Sequence, residues 1–300
     1  MKKILVTGVN SFIGNSFREY MQQFSDEYVV DGISVRNDAW QKIDFSQYDC
    51  VFDVAGIAHA DVGHASEETV KLYYSVNRDL TVSLAEKAKQ SGVKQFIYMS
   101  SAIVYGDSAP IGSQKVITAD TIPSPANFYG DSKLQAENGI LPLADEHFKV
   151  VILRPPMIYG KGSKGNYPVL AKMACKLPVF PAVQNSRSML YIGNLMEFVR
   201  LIIKNEESGI FFPQNAEYSN TSEVVQLIAA AHNRHIPLVH GITGLLKLAG
   251  HFTGLVNKAF GSLTYDMSLS EYKEPYRLYS LSESISLTEG ESCESSFHTI

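Results

Sequence analysis

The apolar run Ile4-Leu5-Val6 leads directly into Thr7-Gly8-Val9-Asn10-Ser11-Phe12-Ile13-Gly14, and a helical pattern begins near Asn15. A strand that turns this tightly into a helix constrains the fold more than any other stretch of the chain. It needs glycine where the backbone bends sharply and where helix meets strand, so that free N–H groups at the helix start can face a phosphate. Gly8 and Gly14 fill those two roles. Ser11 stands where a dinucleotide-binding turn usually has its middle glycine; it is small enough for close approach and adds a hydroxyl. Short apolar runs recur at 29–33, 50–54, 96–99, 150–153 and 210–212, with helical patterns between them at 67–91, closed by Gly92, and at 131–144. Strand alternating with helix predicts an α/β chain built on a Rossmann-type doubly wound parallel sheet.

After Arg154 the pattern loosens into loops punctuated by proline and glycine, with helices expected at 168–176 and 221–233, the second opened by Asn220 and Glu223 as a capping pair. The expected division is a dinucleotide-binding domain over 1–155, completed by about 189–215. A smaller discontinuous substrate-binding lobe, one wall of the site, would comprise 156–188 and 216–290, with a loose tail at 291–300.

With 300 residues, 45% of them apolar, the chain can bury a large core. A formal charge of −5 and scattered Lys and Arg leave no basic face, so no nucleic-acid partner is expected. Cys50, Cys175 and Cys293 have no metal-like spacing and an odd count, which points to reduced, inert thiols and a cytoplasmic location. The first apolar run is too short for a signal sequence. His240, Lys247, His251 and Lys258 interrupt the stretch 237–260 before the ~20 apolar residues a membrane span needs, so no span is expected and a partly buried amphipathic helix is. His59, Asp61 and His64 share one loop without a further convergent ligand, which reads as a loop and not a metal site.

Among 16 tyrosines, Tyr129 alone is followed four residues later by lysine, Lys133. On a helix that spacing puts both on one face, where an ammonium can lower a phenol's pKa from about 10. Chance supplies about one such pair in a chain of this composition, so position decides its meaning. The pair follows a strand ending in Met99-Ser100-Ser101-Ala102-Ile103-Val104-Tyr105-Gly106, at the sheet edge where open α/β folds bind ligands. Ser101 would hold a reacting oxygen while Tyr129 transfers the proton. At the end of the second strand, Asp31 comes too early to bind ribose hydroxyls, whereas Ser34 and Arg36 fall where a 2′-phosphate needs donors and positive charge. NADP(H) is therefore favoured, with NAD the alternative.

Together with Asp44-Phe45, Ala55-Gly56, Asn77, Arg154-Pro155-Pro156 and Tyr159-Gly160, these motifs make residues 1 to 215 resemble an extended short-chain dehydrogenase/reductase of the nucleotide-sugar epimerase/dehydratase type. The resemblance implies a catalytic triad of Ser101, Tyr129 and Lys133, and cofactor contacts from Gly8, Ser11, Phe12, Ile13, Gly14, Ser34, Arg36 and Ser100. It also sets Asp44 and Phe45 beside the adenine, Ala55 and Gly56 along the cofactor backbone, and Pro155 and Pro156 at the nicotinamide end. Asn77 is either a cofactor contact or a helix-stabilising residue. Dehydratase members carry an Asp-Glu pair after the catalytic hydroxyl residue; Ala102-Ile103 cannot supply that acid and base. The segment from Arg154 through Lys164-Gly165-Asn166-Tyr167 to Arg187-Ser188-Met189-Leu190-Tyr191 is similar to bacterial 4-ketoreductases of capsule and O-antigen synthesis. Those reduce a UDP-linked 2-acetamido-2,6-dideoxy-4-hexulose to an N-acetylfucosamine or N-acetylquinovosamine form.

On that likeness Arg187 clamps the substrate diphosphate, unless it forms a surface ion pair, and Asn166 either caps the substrate lobe or touches the nucleotide. The expected function is NADPH-dependent reduction of a UDP-linked 4-keto sugar. The alternatives are a 4-epimerase with retained NAD, which uses the same triad, and a non-catalytic NAD(P)-sensing protein. Family analogy adds a homodimer through the 67–91 helix.

Overall fold

A computed structural model describes residues 1–58, 65–241, 244 and 259–290. Six strands, β1 (Lys2–Thr7), β2 (Tyr28–Ile33), β3 (Cys50–Asp53), β4 (Gln95–Met99), β5 (Lys149–Leu153) and β6 (Gly209–Phe211), form one parallel sheet in the order β6-β5-β4-β3-β1-β2. They are the six apolar runs of the sequence. Their continuous apolarity has a physical reason, because a parallel sheet is covered on both faces. On one side Leu5, Val51, Phe96, Tyr98, Val150 and Ile152 pack with α3 (Leu80–Gln90) and α4 (Phe128–Ile140) through Leu84, Ala85, Ala88, Ala136 and Ile140. On the other, α1 (Phe12–Met21) sets Phe17 edge-on to Phe52 with ring centres 5.0 Å apart, and α6 (Ile192–Lys204) sets Phe198 against Phe211 at 6.0 Å.

Strand order reverses at β1, whose neighbours are β2 and β3, and in open α/β sheets such a switch point is where ligands bind, at the carboxyl ends of the strands. The helix expected at 67–91 is two: α2 (Glu67–Tyr74) and α3, joined by a π-type turn at Ser75–Asp79. Such an inserted residue re-aims side chains, and here it buries Asn77 completely.

The chain divides into two units: Met1–Gly106, Ile122–Pro155 and Leu195–Pro213 in the first, the remainder in the second. Two pieces fall otherwise than the sequence suggests. Asp107–Thr121, which carries no periodic signal, belongs to the second unit, where Val116–Ile117 pairs with Thr264–Tyr265. Met189–Tyr191 also belongs there, paired with Met157–Tyr159. The second unit's core joins α5 (Asn166–Lys176), α7 (Thr221–Ala231) and α8 (Leu281–Thr288) through Tyr167, Leu170, Val225, Ile228 and Ile285.

Cys50 is free and buried in β3, where burial pushes its thiol far above the usual range and makes it inert. Cys175 lies on α5, and Cys293 lies outside the described residues. Among the described residues no helix is long and apolar enough to cross a membrane, and no cluster of His, Cys, Asp and Glu could hold a metal. The His59, Asp61 and His64 loop, most of 237–260 and the 291–300 tail lie outside the described residues.

Candidate active site

The turn after β1 is shaped by two close approaches. Gly8 has φ +71°, and a Cβ there would stand 3.1 Å from the backbone of Ala55; a Cβ on Gly14 would stand 2.8 Å from the Gly8 carbonyl. Any side chain at either position would push the turn away from β3 or from its own helix. Ser11 caps α1, its hydroxyl accepting the Gly14 N–H at 3.0 Å. Phe12 and Ile13 form the first turn, where backbone N–H groups have no intrahelical acceptor and suit a pyrophosphate.

In β2, one oxygen of the exposed Asp31 carboxylate accepts the Tyr48 hydroxyl at 3.0 Å, and burial together with that bond pushes the Tyr48 phenol up to about 12. Ser34 and Arg36 are exposed beyond it. A neighbour that the sequence reading missed is Arg18 of α1, whose Cδ and Nε lie 3.2 Å from where a Cβ of Gly32 would be. Gly32 thus leaves room for an arginine stem across the strand end, on the face it shares with Ser34 two residues on. Asp44 is exposed and engaged by the Ser46 N–H and hydroxyl at 2.9 and 2.7 Å, which hold its carboxyl below the usual range. Phe45 is fully buried, its ring tilted against Trp40 in the core, which departs from the place beside the adenine that the resemblance implies.

Ala55 and Gly56 leave β3 beside the Gly8 turn. A Cβ on Gly56 would lie 3.1 Å from Asn77 Oδ1 and 3.3 Å from Lys133 Nζ. Asn77 accepts the Ile57 N–H at 2.8 Å and donates to the Ile57 carbonyl at 3.0 Å and to Ser132 Oγ at 3.2 Å. Both hydrogen-bonding ends of its amide are thereby spent on holding the loop after β3 against α4.

Ser101 leaves β4 and caps the short turn Ala102–Tyr105, accepting the Ile103 N–H at 3.2 Å. Asn127 caps α4 in the same way through the Gly130 N–H at 3.1 Å, which starts the helix earlier than the sequence pattern suggests and puts Tyr129 in its first turn. A Cβ on Gly130 would stand 2.7 Å from the Ile103 carbonyl, so only glycine lets α4 approach the Ser101 turn this closely. That approach brings the Ser101 hydroxyl close enough to the Tyr129 phenol to pull its pKa down. Burial pushes Tyr129 up to about 12, Tyr73 adds to the rise, and Ser101 pulls against it. Lys133 is buried one turn further along, its Nζ donating to the Met99 carbonyl at 2.9 Å and standing 4.7 Å above the Tyr98 ring. Burial lowers it to about 8, with Asp53 and Glu137 pulling it back up. Tyr129 is shifted by burial, Tyr73 and Ser101 and not by Lys133, so the expected lowering of the phenol by the ammonium is not seen in this arrangement.

Beneath the triad lies a buried ion pair. Arg154 Nε donates to both Glu137 oxygens at 3.1 and 3.2 Å, and one terminal nitrogen donates to the Tyr105 hydroxyl at 2.6 Å. Ser100 also donates to Glu137, which turns its hydroxyl inward. The Pro155 carbonyl accepts the Ala102 N–H at 2.8 Å and ties β5 to the Ser101 turn; Pro155 and Pro156 are both buried. Glu137 and Asp53, like Gly130 and Arg18, escaped the sequence reading. A carboxylate inside an apolar strand run, and one placed four residues after Lys133, are the signals that mark the first two.

In the second unit, Asn166 opens α5 and is exposed; the cap position is Gly165, with φ +93° and no side-chain cap. Arg187 is half-buried, its backbone paired with Ser219 and its guanidinium donating to the Ala259 carbonyl at 3.2 Å. Burial lowers its pKa.

The model of the family described as "NAD dependent epimerase/dehydratase family" matches residues 4–212. A UDP-glucose 4-epimerase of Vibrio cholerae is 30% identical over 292 residues, 89% of this chain and 88% of its own. An N-acetyl-alpha-D-glucosaminyl-diphospho-ditrans,octacis-undecaprenol 4-epimerase of Escherichia coli O157:H7 is 28% identical, covering 86% of this chain and 77% of its own. Among solved structures, the UDP-glucuronic acid 4-epimerase of Bacillus cereus in complex with NAD superposes with a TM-score of 0.72 at 19% identity, over 96% of this chain and 97% of its own, which shows a common fold. With the glycine turn, the switch in strand order and the family match covering the same residues, the chain belongs to the NAD-dependent epimerase/dehydratase family.

Proposed function

We propose that this protein reduces the 4-keto group of a diphosphate-linked 6-deoxy sugar with NADPH. The observation that carries the reading is the placement of Tyr129 in the first turn of α4, close enough to the Ser101 turn for the serine hydroxyl to act on its phenol, one helical turn from the buried Lys133. A phenol at about 12 is protonated at neutral pH and suited to give a proton to a carbonyl oxygen, which Ser101 orients. The nicotinamide, when bound, supplies the hydride. Lys133 holds its ribose. Gly8, Ser11, Phe12, Ile13 and Gly14 cradle the pyrophosphate, and Gly8, Gly14 and Gly56 support that fit because a Cβ at any of them would crowd the cradle. Ser34, Arg36 and Arg18 favour a 2′-phosphate. Ala102 and Ile103 supply no acid or base for dehydration. Arg187 and Asn166 are assigned to the substrate, and Leu72, exposed on α2, supports a homodimer through α2 and α3, testable by light scattering.

The test mixes enzyme, NADPH and a 4-keto-6-deoxy-N-acetylhexosamine on either a UDP or a polyprenyl diphosphate carrier. Loss of nicotinamide absorbance equal to the ketone consumed is expected. No oxidation with either carrier overturns the proposal. The two epimerase relatives favour a second reading, C4 epimerisation with retained NAD. It predicts interconversion of sugars without net cofactor consumption, and release of NAD when the purified protein is denatured.

A further inference from the structure

Asp53 is the last residue of β3 and is completely buried. It accepts the Thr7 hydroxyl at 2.5 Å, the Ala55 N–H at 3.1 Å and the Thr81 hydroxyl at 3.0 Å, and so links β1, β3 and α3. An asparagine could make much the same bonds without placing a charge in the core. Burial raises the Asp53 carboxyl's pKa, the Thr7, Ala55 and Thr81 donors and the Lys133 charge pull it back towards the ionised form, and a buried charge is costly unless an opposite charge stands near.

The sheet register shows which one does. Asp53 is paired with Tyr98 on β4, and Lys133 Nζ stands over the Tyr98 ring at 4.7 Å. Arg154, the other buried cation of the first unit, is committed to Glu137. The charged and titratable groups facing Lys133 are Asp53 from β3, Tyr98 from β4, and Glu137 and Tyr129 from its own helix. Glu137 already shares its charge with Arg154, so Asp53 is the carboxylate left to balance the ammonium.

We propose that Asp53 is a positioning residue: its carboxylate is the counter-charge that keeps Lys133 an ammonium beside Tyr129. This rests on the catalytic reading of Tyr129 and Lys133. A residue that only fastens the strands would act through its hydrogen bonds, whereas a counter-charge acts through its ionisation, and the two roles separate experimentally. Burial drives Lys133 towards about 8, and Asp53 opposes it.

Asp53→Asn keeps the shape and removes the charge. The alkaline limb of its pH–rate profile is expected to move down by about one pH unit. Thr81→Val removes a hydrogen bond and keeps the charge, so it lowers Tm and leaves the limb in place. A limb unmoved in folded Asp53→Asn overturns the proposal. A second arm needs no turnover. Lys133→Met strands the Asp53 charge, so adding Asp53→Asn in that background should raise Tm. A lower Tm, or loss of folding, marks Asp53 as a fastener only and also overturns the proposal. If Tyr129→Phe leaves turnover intact, the catalytic reading falls by itself while the Tm arm still decides the role of Asp53.

Discussion

The two units bury polarity in different ways. In the first, the fully or nearly fully buried polar side chains include Asp53, Lys133, Glu137 and Arg154, two carboxylates and two cations that sum to no net charge. In the second, Asn215 accepts the Tyr191 N–H at 2.9 Å and an Asn194 amide N–H at 3.0 Å, and donates to the Tyr159 hydroxyl at 3.0 Å, while Ser188 donates to Gln214. Those partners are neutral, although among the described residues the His232–Glu289 contact at 2.8 Å and the half-buried Arg187 bring titratable groups into this unit as well. Neutral networks fix a fold at modest cost, whereas buried ion pairs rarely stabilise more than an apolar replacement would. Four charges in one core therefore point to chemistry, and neutral pairs point to architecture.

Tyr129→Phe should break that distinction most sharply. Loss of a general acid costs about 10²–10⁴-fold in kcat, while Tm should scarcely change, since the ring keeps its edge contact with Tyr73 at 5.8 Å. Steady-state kinetics beside a thermal melt reads both. Glu137→Ala takes the carboxylate away from the buried Arg154, and about 3–5 kcal/mol of stability should be lost in denaturant titration. Asn215→Ala in the second unit should cost about 1–3 kcal/mol, because the groups it abandons are neutral. Equal losses at the two sites would erase the contrast.

The sequence made much of the first unit legible and little of the second, for physical reasons. Six strands of a parallel sheet, the inner ones buried, show as apolar runs, and Gly8, Gly14, Tyr129 and Lys133 sit at spacings that local geometry dictates. Asp53, Gly130 and Arg18 owe their meaning to partners on other elements, the Ala55 N–H at Asp53 apart, and no local period reveals them. Asn77 depends on a π-type turn that breaks the helical period just where it matters. Phe45 illustrates the limit of family likeness: the motif sets it beside the adenine, and packing seats its ring against Trp40. Strands of two or three residues, such as Val116–Ile117 and Met157–Tyr159, are too short to carry an alternation.

Alkaline pH separates function from stability within the first unit. Lys133 has a folded pKa of about 8, below its ordinary value of 10.5. Between those values the unfolded chain binds the extra proton, so the share of stability set by Lys133 rises with pH across that window. Activity that needs the ammonium falls across the same window. Opposite slopes in Tm and kcat from pH 8 upward are expected, after correction with Lys133→Met for other titrating groups. Parallel slopes would mean that Lys133 is not the group observed.

Arg18→Ala should have the smallest effect and tests whether the exposed rim of the first unit serves the ligand and not the fold. Arg18 forms no ion pair with any described residue, and its stem lies over Gly32 at the strand end. Removing it should leave Tm unchanged and weaken NADPH binding about tenfold, the worth of one partly solvated charge-assisted bond, while NADH binding stays as it was. Fluorescence titration with both cofactors reads the difference. Equal weakening for NADPH and NADH would place Arg18 on the shared part of the cofactor, and the choice between the two would then rest on Ser34 and Arg36.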